Sequence, residues 1–126
     1  MRFVVSSSDY SGLGFAIRLK AEGHDVVLAT APSSADAADP ERMRRYDLVG
    51  AGMVDKEPLP TLLQRRDTLR DCYWVWDHNH SPDENEMLRS EGQKVLGGGR
   101  YAWQMEHDRH ACLDAGSAPT ANRLIR

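Results

Sequence analysis

The sequence predicts an α/β fold, an open parallel sheet with helices on both faces, and three observations carry that prediction. Phe3-Val4-Val5 is a short apolar run that passes through a small polar stretch, Ser6 to Gly12, into apolar residues at helical spacing, Leu13, Ala16, Ile17 and Ala21. Val26 to Thr30 repeats the β-branched apolar signature after a glycine stop at Gly23. Cys72-Tyr73-Trp74-Val75-Trp76 supplies a third such run, again followed by a polar loop and a helical pattern. Parallel strands need a crossover of about a dozen residues, so strand, loop and helix repeated in this order imply a Rossmann-like arrangement. In such sheets ligands bind beyond the carboxyl ends of the strands.

The first strand opens into Ser6-Ser7-Ser8-Asp9-Tyr10-Ser11-Gly12. Its hydroxyls and the N–H groups at the start of the next helix suit a phosphate or another anion. Equally, Ser8, Asp9 or Ser11 serves only as a helix N-cap. Gly12-Leu13-Gly14 lacks the third glycine of the dinucleotide fingerprint, and the second strand ends in Ala29-Thr30 without an acidic residue, which disfavours NAD. Ala31 to Pro40 has no apolar period and reads as a mobile loop. Glu41 to Tyr46 can form one or two helical turns. Asp47-Leu48-Val49 and Gly52-Met53-Val54 are weak strand candidates, of which one joins the sheet. From Pro58 a helical pattern presents Leu59, Leu62, Leu63 and Leu69 to the sheet.

The aromatic run Cys72 to Trp76 reads as a central strand. The alternative, a stacking platform for bases, lacks the basic groove that should accompany it. It ends in the densest polar cluster of the chain, Asp77-His78-Asn79-His80-Ser81-Pro82-Asp83-Glu84-Asn85, which the fold places beside the first loop. Alternate histidines on a loop enforce no metal geometry, so substrate hydrogen bonding by Asp77, His78, Asn79 and His80 is the assignment, and no metal site is expected. The plainer reading is a helix start, with Ser81 as cap and Pro82 at the first position. After that helix and Gly92, Lys94-Val95-Leu96 is a further strand. It runs into Gly97-Gly98-Gly99, whose missing side chains permit close approach of a ligand or a neighbouring turn. Arg100 to Ala115 reads as the longest helix, stopped by Gly116; His107 and His110 share a face while Cys112 points elsewhere, so they are ordinary helix residues.

Composition bounds the remaining possibilities. The chain has 126 residues, enough for one domain with a modest core. Sixteen basic against nineteen acidic residues give a net charge of −3, which advertises neither nucleic acid nor an anionic membrane as partner. No apolar run approaches the roughly 20 residues that span a bilayer, and no signal peptide is visible. Two cysteines are too few for a disulfide framework, so the cytoplasm is the expected compartment.

The order of elements and several strings resemble the N-terminal, pre-ATP-grasp domain of phosphoribosylamine–glycine ligase and related carboxylate–amine ligases. The best match is LRSEGQKVLGGGRYAWQMEHDRHACLDAGSAPTANRL, Leu88 to Leu124. It is similar to the family's strand, Gly-Pro-Ser turn and helix, followed by the gly-ile-pro-thr-ala string that opens the ATP-grasp module. Asp71 to Trp76 falls where the family has an acidic residue and a run of valines. Three departures sit at the loops expected to touch substrate. Ser7 to Gly12 replaces a glycine-rich string followed by Arg-Glu-His, Asp77-His78-Asn79-His80 replaces Gly-Pro-Glu, and Arg109 stands at a common lysine position.

The resemblance implies a domain over residues 1–116 and a linker or the start of an ATP-grasp domain over 117–126. It implies a ligase that activates a carboxylate as an acyl phosphate and joins it to an amine. This domain would hold a small phosphorylated amine through Ser7, Ser8, Asp9, Ser11, Gly12, Asp77, His78, Asn79, His80, Gly98, Gly99 and Arg100. ATP and Mg²⁺ would be bound mainly by ATP-grasp lobes in cis, outside this chain, with no cofactor on this chain alone. A non-catalytic interaction module and a small flavodoxin-like nucleotide-binding domain are the other readings the sequence leaves open.

Overall fold

A computed structural model describes residues 1–78, 81–108, 110 and 113 of the chain. Among these residues one five-stranded sheet forms, in the order β3-β2-β1-β4-β5, with every neighbouring pair parallel. The strands are β1 (Arg2–Ser7), β2 (Asp25–Thr30), β3 (Asp55–Pro58), β4 (Cys72–Trp76) and β5 (Lys94–Leu96). The helices are α1 (Leu13–Ala21), α2 (Ser34–Ala38), α3 (Pro40–Leu48), α4 (Leu59–Gln64), α5 (Pro82–Ser90) and α6 (Arg100–His107), with a 3-10 turn at Arg66–Leu69. This is the α/β Rossmann-like architecture that the apolar runs predict. The strand order reverses between β1 and β4, so the crevice at the carboxyl ends of those two strands is the topological switch point.

The two faces of the sheet have separate cores. Phe3, Val5 and Leu28 pack with Ala16 and Leu19 of α1 on one face. Val4, Ala29, Trp74 and Trp76 pack with Leu59, Leu62, Leu69 and Leu88 on the other. Odd and even positions of β1 thus alternate between the faces, as the strand period of two requires. Trp74 is fully buried, its indole N–H donating to Gln93 Oε1 at 3.3 Å, and Trp76 is only 7% exposed. Both belong to a packed core strand, as read from the sequence, and not to a stacking platform. Residues 117–126, assigned above to a linker, lie outside the described residues.

Several local expectations are corrected. Ser6 and Ser7 belong to β1 and not to the loop, because both partners extend the pairing, Ser6 to Ala29 and Trp76, Ser7 to Thr30. Ala31 to Pro40 is not one loop. Ser33 Oγ accepts from Asp36 N and starts α2, and the Asp39 carboxylate accepts from Glu41 N and Arg42 N to cap α3. Neither Asp47–Val49 nor Gly52–Val54 forms a strand. Leu48 ends α3, Gly50 and Gly52 take positive φ of 72° and 80° in the turn that follows, and the sheet instead recruits Asp55–Pro58. The helix from Arg100 is interrupted after His107, where Asp108 is extended with φ −112° and ψ 104°; beyond it His110 and Leu113 are helical, and residues 109, 111, 112, 114 and 115 lie outside the described residues.

Candidate functional site at the switch point

The site is built where β1 and β4 end. Ser7 Oγ donates to Asp77 Oδ2 at 2.5 Å and accepts from Gly12 N at 3.3 Å, while Asp77 N donates to the Ser6 carbonyl at 3.2 Å. A Cβ at Gly12 would lie 3.1 Å from Asp77 Oδ2 and from Val5 Cγ1, so glycine allows the carboxylate to sit against the start of α1. Ser7, Gly12 and Asp77, named from two loops far apart in sequence, are therefore in direct contact. Ser7 is fully buried and Asp77 is exposed.

The rest of the first loop closes on itself. Asp9 Oδ1 accepts from Ser11 N at 3.0 Å and Ser11 Oγ at 2.6 Å, and these bonds hold the Asp9 carboxyl below its ordinary value. Ser8 offers its carbonyl to Tyr46 Oη at 2.9 Å, and Tyr10, at φ 64°, donates its hydroxyl to the Tyr46 carbonyl at 2.7 Å. Lys56 Nζ reaches Tyr10 Oη at 3.2 Å and the carbonyls of Asp47 and Val49 at the end of α3. Burial pushes the Tyr10 phenol up to about 12. Neither Ser8, Asp9 nor Ser11 caps α1; Gly12 is the N-cap, without a side-chain bond. The N–H groups of Ser11, Gly12 and Leu13 all have partners within the chain, and the negative charge at this helix start is the Asp77 carboxylate. The hydroxyls of Ser7 and Ser11 and these three N–H groups, offered to a phosphate by the sequence reading, are thus taken within the chain.

The glycine loop on the other side is built differently. Asn85 Nδ2 donates to the Gly98 carbonyl at 2.7 Å, and Arg89 donates to the Gly97 carbonyl. Arg100 turns toward α5, its N–H on Glu86 Oε1 at 2.7 Å and its guanidinium on Asp83 at 2.5 Å, which holds the guanidinium above its ordinary value. Ser81 makes no side-chain cap for α5. A Cβ at Gly97 would lie 2.9 Å from Asn85 Nδ2 and 3.0 Å from Trp76 Cδ1, and one at Gly99 would lie 3.0 Å from Glu86 Oε1. These glycines are there for close approach of the chain to α5 and β4, one of the two uses the sequence reading allowed.

An open pocket of about 510 Å³ lies over this contact, lined by Trp76, Asp77, His78, Gly97, Gly98 and Glu106 among others. Trp76, which lines it, has a buried indole Nε1 without a hydrogen-bond partner, as do Ser6 Oγ, on its register partner in β1, and Asn85 Oδ1. Each such orphan costs on the order of 1–3 kcal/mol. Asn79 and His80 lie outside the described residues, so Asp77, His78 and Gly98 are the site residues of this side seen around one pocket, with Gly99 and Arg100 turned to α5. Sequence reasoning missed Trp76 as a polar group and Glu106, and placed Asn85 in the polar cluster without giving it a role of its own. The available signal was an asparagine three residues before Leu88, on the helix face that packs against the sheet.

Among the described residues no three His, Cys, Asp or Glu side chains gather as metal ligands, and no helix is long and apolar enough to cross a membrane. His107 stacks on Trp103 at 4.7 Å between ring centres, and its Nδ1 lies 2.9 Å from the Trp103 carbonyl. Fold and site together define a Rossmann-like α/β domain with a pocket at its switch point. No protein-family model matches the chain, and comparison with curated proteins and with solved structures gives no match either.

Proposed function

We propose that this domain holds the amine-bearing substrate of an ATP-dependent carboxylate–amine ligase, with the amine at Asp77. The observation that carries the amine is the placement of that carboxylate. It is fixed by Ser7 and Gly12 at the switch point, exposed, and on the wall of a pocket that also bears Glu106. An exposed carboxylate held in place on a pocket wall suits a primary ammonium group, through charge and hydrogen bonding. The ligase assignment is supported by the resemblance of Leu88 to Leu124 to the pre-ATP-grasp domain and by the shared Rossmann-like architecture. The chain's own residues would bind and orient; ATP and Mg²⁺, on lobes in cis, would supply the carboxylate activation. The substrate implied by the resemblance carries a phosphate, and the edge described here addresses its amine. A reducing cytoplasm suits the buried Cys72, whose thiol is pushed up by burial.

Thermal shift with phosphoethanolamine and with glycerol 3-phosphate tests this reading, because a ligand of the folded state raises its melting temperature. Phosphoethanolamine should raise the melting temperature of the parent chain and leave Asp77→Asn unmoved, and glycerol 3-phosphate should move neither. An equal shift in both proteins overturns the amine assignment. A second reading, a non-catalytic interaction module, is favoured by the exposed apolar side chains of Leu96, Tyr101 and Trp103 on β5 and α6. It gains if neither small molecule produces a shift.

A further inference from the structure

We infer that the Gly97–Gly99 loop covers a subsite for an amide edge, made by Ser6 Oγ, Trp76 Nε1 and Asn85 Oδ1. Ser6 and Trp76 are register partners on adjacent parallel strands, and both continue the face of Val4 and Trp74, so their side chains lie side by side. Asn85 comes down on the same place from α5. A single Cβ placed on Gly97 would touch both Asn85 Nδ2, at 2.9 Å, and Trp76 Cδ1, the carbon bonded to the orphan nitrogen, at 3.0 Å. The Asn85 amide has its orientation fixed by the Gly98 carbonyl, which takes the Nδ2 donor at 2.7 Å and leaves Oδ1 as the acceptor. Each of the three atoms exposes less than 1 Å² and has no partner, although β1, β4 and α5 are otherwise well packed.

The set contains one fixed donor, the indole N–H, one fixed acceptor, the Asn85 oxygen, and a hydroxyl that serves as either. A carboxylate would oppose the Asn85 oxygen, and an ammonium group would oppose the indole N–H. An amide edge matches both, its carbonyl accepting from Trp76 and Ser6 and its N–H donating to Asn85. Open-chain carboxamides and cyclic lactams such as pyrimidine bases share that edge. Access requires the cover to move. Its three glycines carry no side chains that must be re-exposed, and Asn85 and Arg89 are what hold its carbonyls at Gly97 and Gly98. The subsite opens from the pocket that bears Asp77, so it deepens the amine reading and rests on it for the second end of the ligand.

The test is a nuclear magnetic resonance titration of the ¹⁵N-labelled full chain, read at its three tryptophan indole N–H signals. Trp103→Phe and contacts to Gly97 assign them. The probes are glycinamide, which carries an amine and an amide, uracil, a lactam without an amine, and ethylamine, an amine alone. Glycinamide should move the Trp76 indole signal downfield and leave that of Trp74, already bonded to Gln93, in place. Ser6→Ala should weaken glycinamide about fivefold, the loss expected for one neutral hydrogen bond. A response to uracil as well assigns the subsite to lactams and carboxamides alike, and its absence restricts it to open-chain amides. If ethylamine moves the Asp77 backbone signal while neither amide probe moves Trp76, the subsite is overturned and the amine reading stands. If glycinamide moves Trp76 and ethylamine leaves Asp77 unmoved, the amine reading falls and the subsite stands. Silence at both positions overturns both.

Discussion

The loop from Ser8 to Gly12 and the loop from Gly97 to Gly99 flank the same switch point, yet they treat hydrogen bonds in opposite ways. In the first, Asp9, Ser11, Gly12, Leu13 and both tyrosines are bonded within the chain, and Lys56 ties the assembly to the end of α3. Beneath the second, three buried polar atoms have no partner. The contrast falls even between neighbours in one strand. Ser7 donates one bond and accepts another, while Ser6, equally buried, has an idle hydroxyl. A loop that satisfies itself contributes stability and offers little to a ligand. A floor that does not satisfy itself gives up stability and is the better place to look for recognition.

The comparison can be broken most sharply on the self-satisfied side. Gly50 has φ 72°, and a Cβ there would lie 2.9 Å from Leu13 Cδ1, at the first residue of α1. Gly50→Ala should cost about 3 kcal/mol in urea unfolding, combining left-handed strain with overpacking. A loss below about 1 kcal/mol would mean that this turn yields freely and that the first loop is less firmly anchored than described. Next come the two serines. Ser7→Ala should cost about 2 kcal/mol, since it leaves the buried Gly12 N–H without an acceptor. Ser6→Ala should stabilise by about 1 kcal/mol, because it removes a buried hydroxyl that bonds nothing. Equal effects from both substitutions would erase the distinction between the loops.

The smallest effect is alkaline. The folded Tyr10 phenol ionises at about 12, above the value near 10 of an unfolded tyrosine, because burial disfavours the anion. Its neutral form therefore supports the fold fully below about pH 10, and this support is lost as pH rises toward 12. Unfolding free energy measured across that window should fall less steeply in Tyr10→Phe than in the parent chain. An unchanged slope would place the alkaline sensitivity elsewhere.

The fold was largely legible where strands carry apolar runs. β1 and β4, central in the sheet, announce themselves between polar loops, and the exposed edge strand β5 does so through Val95-Leu96; Gly23 and Gly92 mark helix ends. β3 was illegible because it is an edge strand of composition Asp-Lys-Glu-Pro. It pairs through its backbone with β2 alone and buries none of its own side chains fully. α2 escaped notice for a related reason, as it buries nothing and exists through its Ser33 cap. At the site, the meeting of Ser7, Gly12 and Asp77 followed from topology plus polar loops. The orphaned trio did not, because a missing hydrogen bond is a property of three-dimensional surroundings that no residue type or spacing encodes.

The central position of β1 has a consequence for how the protein assembles as it is made. β1 is the first strand in the sequence, and its contact with the far side of the sheet, Ser7 to Asp77, spans 70 residues. A nascent chain emerging from the ribosome can pair β1 with β2 early, but that parallel β–α–β unit leaves the other edge of β1 unfilled until Cys72–Trp76 arrives. Such long-range parallel pairing is slow and leaves apolar strand edges exposed meanwhile. The seam that forms the candidate site thus closes only once β4 has emerged, and pausing of synthesis before β4 would leave that edge of β1 unpaired.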